Sequence, residues 1–112
     1  MTQDVAIGID IGGSGIKSSI VSLNELKLLS DRYQTLTPEV SSPEAVKQVV
    51  KHHLDYHSSE IPVGIGFPGR INESGEVEFL GNLDQSWKGI NIRSFFTDLN
   101  QKIRIINDAD AA

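Results

Sequence analysis

The sequence predicts an α/β layer fold with a mixed central sheet flanked by helices, and three observations carry that expectation. Short apolar, β-branched runs stand at Val5 to Asp10, Ile61 to Phe67 and Ile103 to Asn107, each the length of a buried strand. An amphipathic stretch of helical period separates the first of these from the second. Buried strands joined through a helical crossover are the mark of layered α/β architecture.

Taken in order, Val5 to Asp10 is the first strand, and Ile16 to Leu23 follows closely enough to be its hairpin partner. Leu28 to Leu36 predicts a third strand. The stretch "TPEVSSPEA" then breaks the pattern. Ser42 followed by Pro43 signals a helix start, because proline at the first helical position loses no needed donor. Ala45, Val46, Val49, Val50, His53, Leu54 and His57 recur on one face of that helix, with Lys47, Gln48, Lys51, His52 and Asp55 on the other. The helix is expected to end near His57. "IPVGIGF" at 61 to 67 predicts a fourth strand, running into "PGRINESGEVEFL", read as a loop and one further short strand. "NIRSFFTDLNQ" predicts a second helix and "IRIIN" at 103 to 107 a last buried strand. "NDADAA" opens as a helix does, with polar caps and then alanines, and stops short of a helical length. A domain spanning 1–112 and cut before its partner domain is therefore expected.

Composition narrows the function. The chain has 112 residues, no cysteine, and 10 Lys+Arg against 15 Asp+Glu for a net charge of −5. One domain of this size folds without disulfides. The negative balance disfavours a nucleic-acid partner held by bulk electrostatics, so any anion must be gripped by a local site. No apolar run nears the roughly twenty residues a membrane helix needs, and no signal-peptide pattern is present; a cytoplasmic protein without a membrane partner is expected.

The stretch "GIDIGGSGIKSSIV" at 8 to 21 supplies such a site. It is either a glycine-rich hairpin connection or a nest in which the amides of Gly12, Gly13, Ser14 and Gly15 cradle phosphate oxygens, with Ser14 as a further donor and Lys17 as a nearby cation. Asp10 would repel phosphate directly; its natural place is on a Mg²⁺ ion or its water shell. A Walker A loop is excluded because no Gly-Lys pair occurs, and a Rossmann site because the loop leads into a strand. "GIGFPG" at 64 to 69 matches G-x-G-x-x-G on paper, but Pro68 interrupts it and no helical stripe follows. It is either a plain turn or a strand end whose glycines let a ligand approach.

"NLDQSWKG" at 82 to 89 places Trp87 among amide, carboxylate, hydroxyl and ammonium groups, as a packing residue or as the apolar platform of a sugar site. Asp108 and Asp110 are helix caps, or Asp108 is a general base beside Asn107 at a strand end, where α/β sheets bind ligands. If the strands of Asp10 and Asp108 are neighbours, both carboxylates face one cleft. His53 and His57, at i and i+4, permit a zinc site on one helix face, but no third ligand stands out and packing is the favoured reading.

"GIDIGGSGIK", "GFPGRI", "NLDQSWKG" and "NDADAA", in this order and spacing, resemble the N-terminal half of sugar kinases of the ROK family, within the ribonuclease-H-like, actin-like ATPase superfamily. "GSGIK" and "DQSW" are most similar to the polyphosphate glucokinase branch. The resemblance implies that Asp10, Gly12, Gly13, Ser14 and Lys17 form the first phosphate loop, with Asp10 near Mg²⁺ indirectly. It implies that Gly66, Pro68, Gly69, Asn82, Asp84, Ser86, Lys88 and Asn107 lie against the sugar, and that Asp108 binds it and is the catalytic base. The implied reaction is phosphoryl transfer from polyphosphate or ATP to the 6-hydroxyl of glucose or a similar hexose, in a homodimeric full-length protein. The second phosphate loop, a further sugar-binding carboxylate and histidine, any zinc-binding cysteines and the nucleotide-base pocket belong to the other half, so this chain alone is expected to be inactive. An ATP-dependent hexokinase for another sugar and a non-catalytic sugar-binding module are the alternatives. A repressor of the same family would need a helix-turn-helix before the first strand, and with that strand predicted from about Val5 none is expected.

Overall fold

The computed structural model describes residues 4–22, 27–57, 61–99 and 102–107. Their elements run β1 (Val5–Ile11), β2 (Gly15–Ser22), β3 (Lys27–Leu28), β4 (Tyr33–Leu36), α1 (Pro43–His57), β5 (Val63–Phe67), β6 (Gly69–Ile71), β7 (Val77–Leu80), one 3₁₀ turn (Gln85–Trp87), α2 (Ile92–Phe95) and β8 (Ile103–Asn107). The main sheet has the order β3-β2-β1-β5-β8, with β4 also pairing β2. β1 and β2 are antiparallel along their whole length, whereas β1, β5 and β8 run parallel. The mixed sheet expected from the sequence is thus observed.

Alternation gives the sheet two unlike faces. Ile7, Ile9 and Ile11 are buried, and the register sets them beside Val63, Ile65 and the following strand's Ile103. α1 lies on this face through Val46, Val50 and His53, all fully buried, which is the apolar stripe read from the 3.6-residue period. Ala45, Val49, Leu54 and His57 flank the stripe half-buried. On the opposite face the same strands present Gly8, Asp10, Lys17, Ser19, Gly64 and Gly66.

Three elements differ from expectation. The predicted third strand, Leu28 to Leu36, is two pieces, because Leu29 N–H donates to Ile20 O (2.7 Å) while Ser30 Oγ accepts from Ile20 N–H (2.8 Å). The serine hydroxyl replaces a strand carbonyl, and the chain loops out before β4 regains β2. "PGRINESGEVEFL" contributes two strands rather than one: β6 and β7 pair around a turn in which Gly75 adopts φ +91°. The second helix is a single turn. Asn91 caps it by accepting from Ser94 N–H at 3.2 Å, after which the Ser94 and Thr97 hydroxyls bond to nearby carbonyls and i→i−3 turns replace the helical ladder.

Candidate functional site

The strand ends bring the sequence-derived candidates toward one edge of the sheet. Asp10 is exposed, pairs with Lys17 across the β1–β2 hairpin, and pairs with Gly66 across the parallel β1–β5 ladder. Asp10, Lys17, Ser19, Arg32 and Gly66 are among the residues lining a cavity of about 360 Å³ on the face opposite α1. Phe67 pairs with Asn107, the last residue of β8. β1 and β8 are therefore not neighbours, which corrects the simplest arrangement of the two carboxylate-bearing strands: β5 lies between them, setting their ends roughly 10 Å apart at two strand spacings. Asp108 and Asp110 lie outside the described residues.

The glycine loop is a tight hairpin connection with an unusual set of clamps. Gly12 N–H donates to Gly15 O at 3.0 Å, so that amide closes the turn and is not offered outward. This changes the expected nest, in which Gly12 was one of four open donors. From the segment after β4, Thr37 Oγ1 donates to Gly12 O at 2.6 Å and Thr37 N–H donates to Ser14 O at 3.4 Å. Among the described residues nothing accepts from the Gly13 or Ser14 amides, which remain available as donors. Both residues are exposed. None of these loop glycines has positive φ; the requirement is for closeness, since a β-carbon on Gly13 would collide with the Asn82 side chain and one on Gly12 would sit 2.9 Å from Gly15 O.

That closeness joins the loop to "NLDQSWKG". Asn82 follows Gly81, whose N–H reaches Pro68 O at 3.5 Å, while Gly69 pairs with Leu80. Gly66, Pro68, Gly69, Asn82 and the glycine loop thus form one continuous surface. Farther along, Asp84 and Ser86 are turned toward each other: Asp84 Oδ1 accepts from Ser86 N–H (2.9 Å) and from Ser86 Oγ (2.5 Å), capping the 3₁₀ turn. The Ser86 hydroxyl, and after it the Ser86 amide, hold the Asp84 carboxyl below its usual range. Lys88 ends this turn and is exposed.

Trp87 is a packing residue. It is fully buried among Phe67, Phe95 and Phe96, and its Nε1–H donates to Ser41 O at 2.7 Å. Ser41 Oγ also accepts from Asp84 N–H at 3.0 Å. Ser41 and Thr37 are the residues that sequence reasoning misses, because "TPEVSSPEA" reads only as a break in the strand pattern followed by a helix start. The stretch carries a run of hydroxyl side chains beside prolines, but their partners lie far off in sequence and no local pattern names them.

The histidines pack rather than converge on a metal. Ser18 Oγ lies 2.5 Å from His53 Nδ1 and 2.8 Å from His57 Nε2, and Thr35 Oγ1 lies 2.9 Å from His53 Nε2. Burial first, then the neighbouring His52 and His57, pushes His53 down to about 4, and burial lowers His57. Among the described residues no three His, Cys, Asp or Glu side chains are grouped to hold a metal ion.

Comparison with known proteins places this architecture. The model of the ROK family matches residues 6–112. The polyphosphate glucokinase of Mycobacterium tuberculosis (strain ATCC 25618 / H37Rv) is 40% identical over 113 residues, covering 99% of this chain and 42% of that protein. That of Mycobacterium leprae (strain TN) is 41% identical over 107 residues, 94% of this chain and 33% of that protein. The crystal structure of the inorganic polyphosphate/ATP-glucomannokinase from Arthrobacter sp. strain KM superposes with a TM-score of 0.86 at 39% identity, over 96% of this chain and 45% of that one. The chain thus spans less than half the length of these relatives. The likeness carries the actin-like ATPase fold expected from the sequence.

Proposed function

Because the chain belongs to the ROK family, we propose that it is the N-terminal, phosphate-loop and sugar-binding part of a glucokinase that transfers a phosphoryl group from inorganic polyphosphate or ATP to the 6-hydroxyl of glucose. The observation that carries the reading is the contact between Gly13 and Asn82, which joins the phosphate loop to the sugar segment in one surface. The likeness to two polyphosphate glucokinases and a polyphosphate/ATP-glucomannokinase supports the choice of donor and acceptor. Lacking more than half of its relatives' length, the isolated chain is inactive in this reading, and the full-length protein is a cytoplasmic homodimer. Among the described residues no helix is long and apolar enough to cross a membrane.

In this reading the Gly13 and Ser14 amides take oxygens of the terminal phosphoryl groups, and Lys17 offsets their charge. Gly66, Pro68, Gly69 and Asn82 form the wall against the sugar, with Asp84, Ser86, Lys88 and Asn107 beside it. Asp108 follows β8 directly in sequence. As the base it removes the proton of the 6-hydroxyl while that oxygen bonds to phosphorus, and the bridging oxygen departs with the shortened phosphate chain. General base catalysis of this kind contributes about 10²- to 10⁴-fold. Asp10 offers one exposed carboxylate, and among the described residues no three His, Cys, Asp or Glu side chains are grouped to hold a metal ion, so Asp10 would hold Mg²⁺ through its hydration shell rather than within an all-protein cage. When bound, that ion neutralises charge on the transferring phosphoryl group.

The test is glucose-6-phosphate formation by the full-length protein, supplied separately with polyphosphate and with ATP. Turnover with polyphosphate is expected, and Asp108→Asn is expected to abolish it while glucose binding persists. No turnover with either donor overturns the kinase reading, and near-normal turnover in the variant overturns the assignment of the base.

A further inference from the structure

We propose that Thr37 is a positioning residue for the phosphoryl donor, clamping the Gly12–Gly15 loop in the form that presents its Gly13 and Ser14 amides to phosphate; the proposal rests on the kinase reading for what the loop binds. Thr37 lies just past β4 and touches the loop twice. Its hydroxyl donates to Gly12 O at 2.6 Å and its backbone N–H to Ser14 O at 3.4 Å.

These bonds matter because a carbonyl and the following N–H share one rigid plane. In a trans peptide the two point in opposite directions, and the described chain has no cis bond. Holding Gly12 O toward Thr37 therefore aims the Gly13 N–H away from Thr37. Gly12 N–H is at the same time fixed to Gly15 O at 3.0 Å. The loop is rich in glycine, which by itself leaves its peptide planes free to rotate. Without the clamp, ordering them would fall to the ligand, at the cost of affinity that preorganisation otherwise avoids.

Thr37 is itself well fixed for this purpose. Pro38 follows it and disfavours the helical region for Thr37, biasing its backbone toward extended conformations. The β-branch restricts χ1, and the residue is half-buried. Neighbouring Leu36 pairs with Gly15, anchoring the segment to the start of β2.

The test compares Thr37→Val and Thr37→Ser in the full-length protein by calorimetric binding of inorganic tripolyphosphate, steady-state kinetics and thermal unfolding. Val keeps the shape and removes the hydroxyl; Ser keeps the hydroxyl. Thr37→Val is expected to weaken tripolyphosphate binding and raise the donor KM by about tenfold, as loss of one part-buried hydrogen bond implies, while the glucose KM is unchanged. Thr37→Ser is expected to recover binding to within about threefold of wild type. If Thr37→Val unfolds, Thr37→Ser against Thr37→Ala decides in its place. Wild-type binding in Thr37→Val, equal damage by Ser, or no tripolyphosphate binding by the wild type overturns the proposal. Thr37-dependent tripolyphosphate binding without sugar phosphorylation supports it and overturns the kinase reading alone.

Discussion

Gly13 lies so close to Asn82 that a β-carbon at position 13 would overlap the Asn82 side chain. The turn between the first two strands and the start of "NLDQSWKG" are thereby one surface. The glycine at this position is needed for contact across the fold, since none of the loop glycines uses positive φ.

Gly13→Ala is therefore expected to destabilise the full-length protein by about 1–3 kcal/mol, the usual cost of overpacking, and to weaken tripolyphosphate binding. Asn82→Gly removes the atom that would be struck and should restore part of the stability in the double variant. Asn82→Ala, which keeps its β-carbon, should restore little. Thermal unfolding of the three single and two double variants reads the coupling, and additive losses would disprove the contact.

Trp87 makes a different kind of prediction. Its ring is enclosed by Phe67, Phe95 and Phe96 and its Nε1–H satisfies Ser41 O. Trp87→Ala is expected to cost about 3–5 kcal/mol. Trp87→Phe retains an aromatic ring and leaves the Ser41 carbonyl unpaired, for a loss of about 1–3 kcal/mol. Denaturant unfolding measures both. Glucose affinity in folded Trp87→Phe is expected to be unchanged, whereas a sugar platform would lose it.

Much of this arrangement was legible in the sequence. The buried face of α1 followed from its period, and the hairpin, the parallel strands and the glycine loop followed from β-branched runs broken by glycine. What escaped was decided by hydroxyl side chains. Ser30 interrupts the third strand by taking Ile20 N–H, and Ser94 and Thr97 end the second helix after one turn. Thr37 and Ser41 clamp distant segments. A hydroxyl's partner is set by what the tertiary fold brings near, so no local pattern announces it. Asp84 shows the same limit: read as a sugar ligand, it also caps its own turn.

The histidine cluster predicts how stability depends on pH. His53 is fully buried, with Ser18 and Thr35 on its two nitrogens, Tyr33 against its ring, and His52 and His57 nearby. Its folded pKa of about 4 lies below the ordinary 6.5, so the unfolded chain takes up the proton first as the pH falls. Stability is then level above about pH 6.5 and decreases toward pH 4, by up to about 1.4 kcal/mol per unit. The lowered His57 acts in the same direction. Urea unfolding between pH 5 and 6.5, above most carboxylate titration, is expected to show this slope, and His53→Gln to flatten it. An unchanged slope in the variant would assign it to other groups.

Asp10 supplies the sharpest separation of chemistry from folding. It is exposed at the end of β1, opposite Lys17, with no described ion pair. Asp10→Asn preserves shape and removes the charge, so stability should stay within about 0.5 kcal/mol of wild type. In the kinase reading that charge helps hold hydrated Mg²⁺ on the donor. Turnover of the full-length protein is then expected to fall by at least about 100-fold, and the Mg²⁺ concentration for half-maximal rate to rise, while glucose affinity is unchanged. Equal loss of glucose binding would instead make Asp10 a residue of the sugar wall. An unchanged Mg²⁺ dependence at reduced rate would show that its carboxylate acts on the phosphate loop through Lys17, the cation facing it across the hairpin.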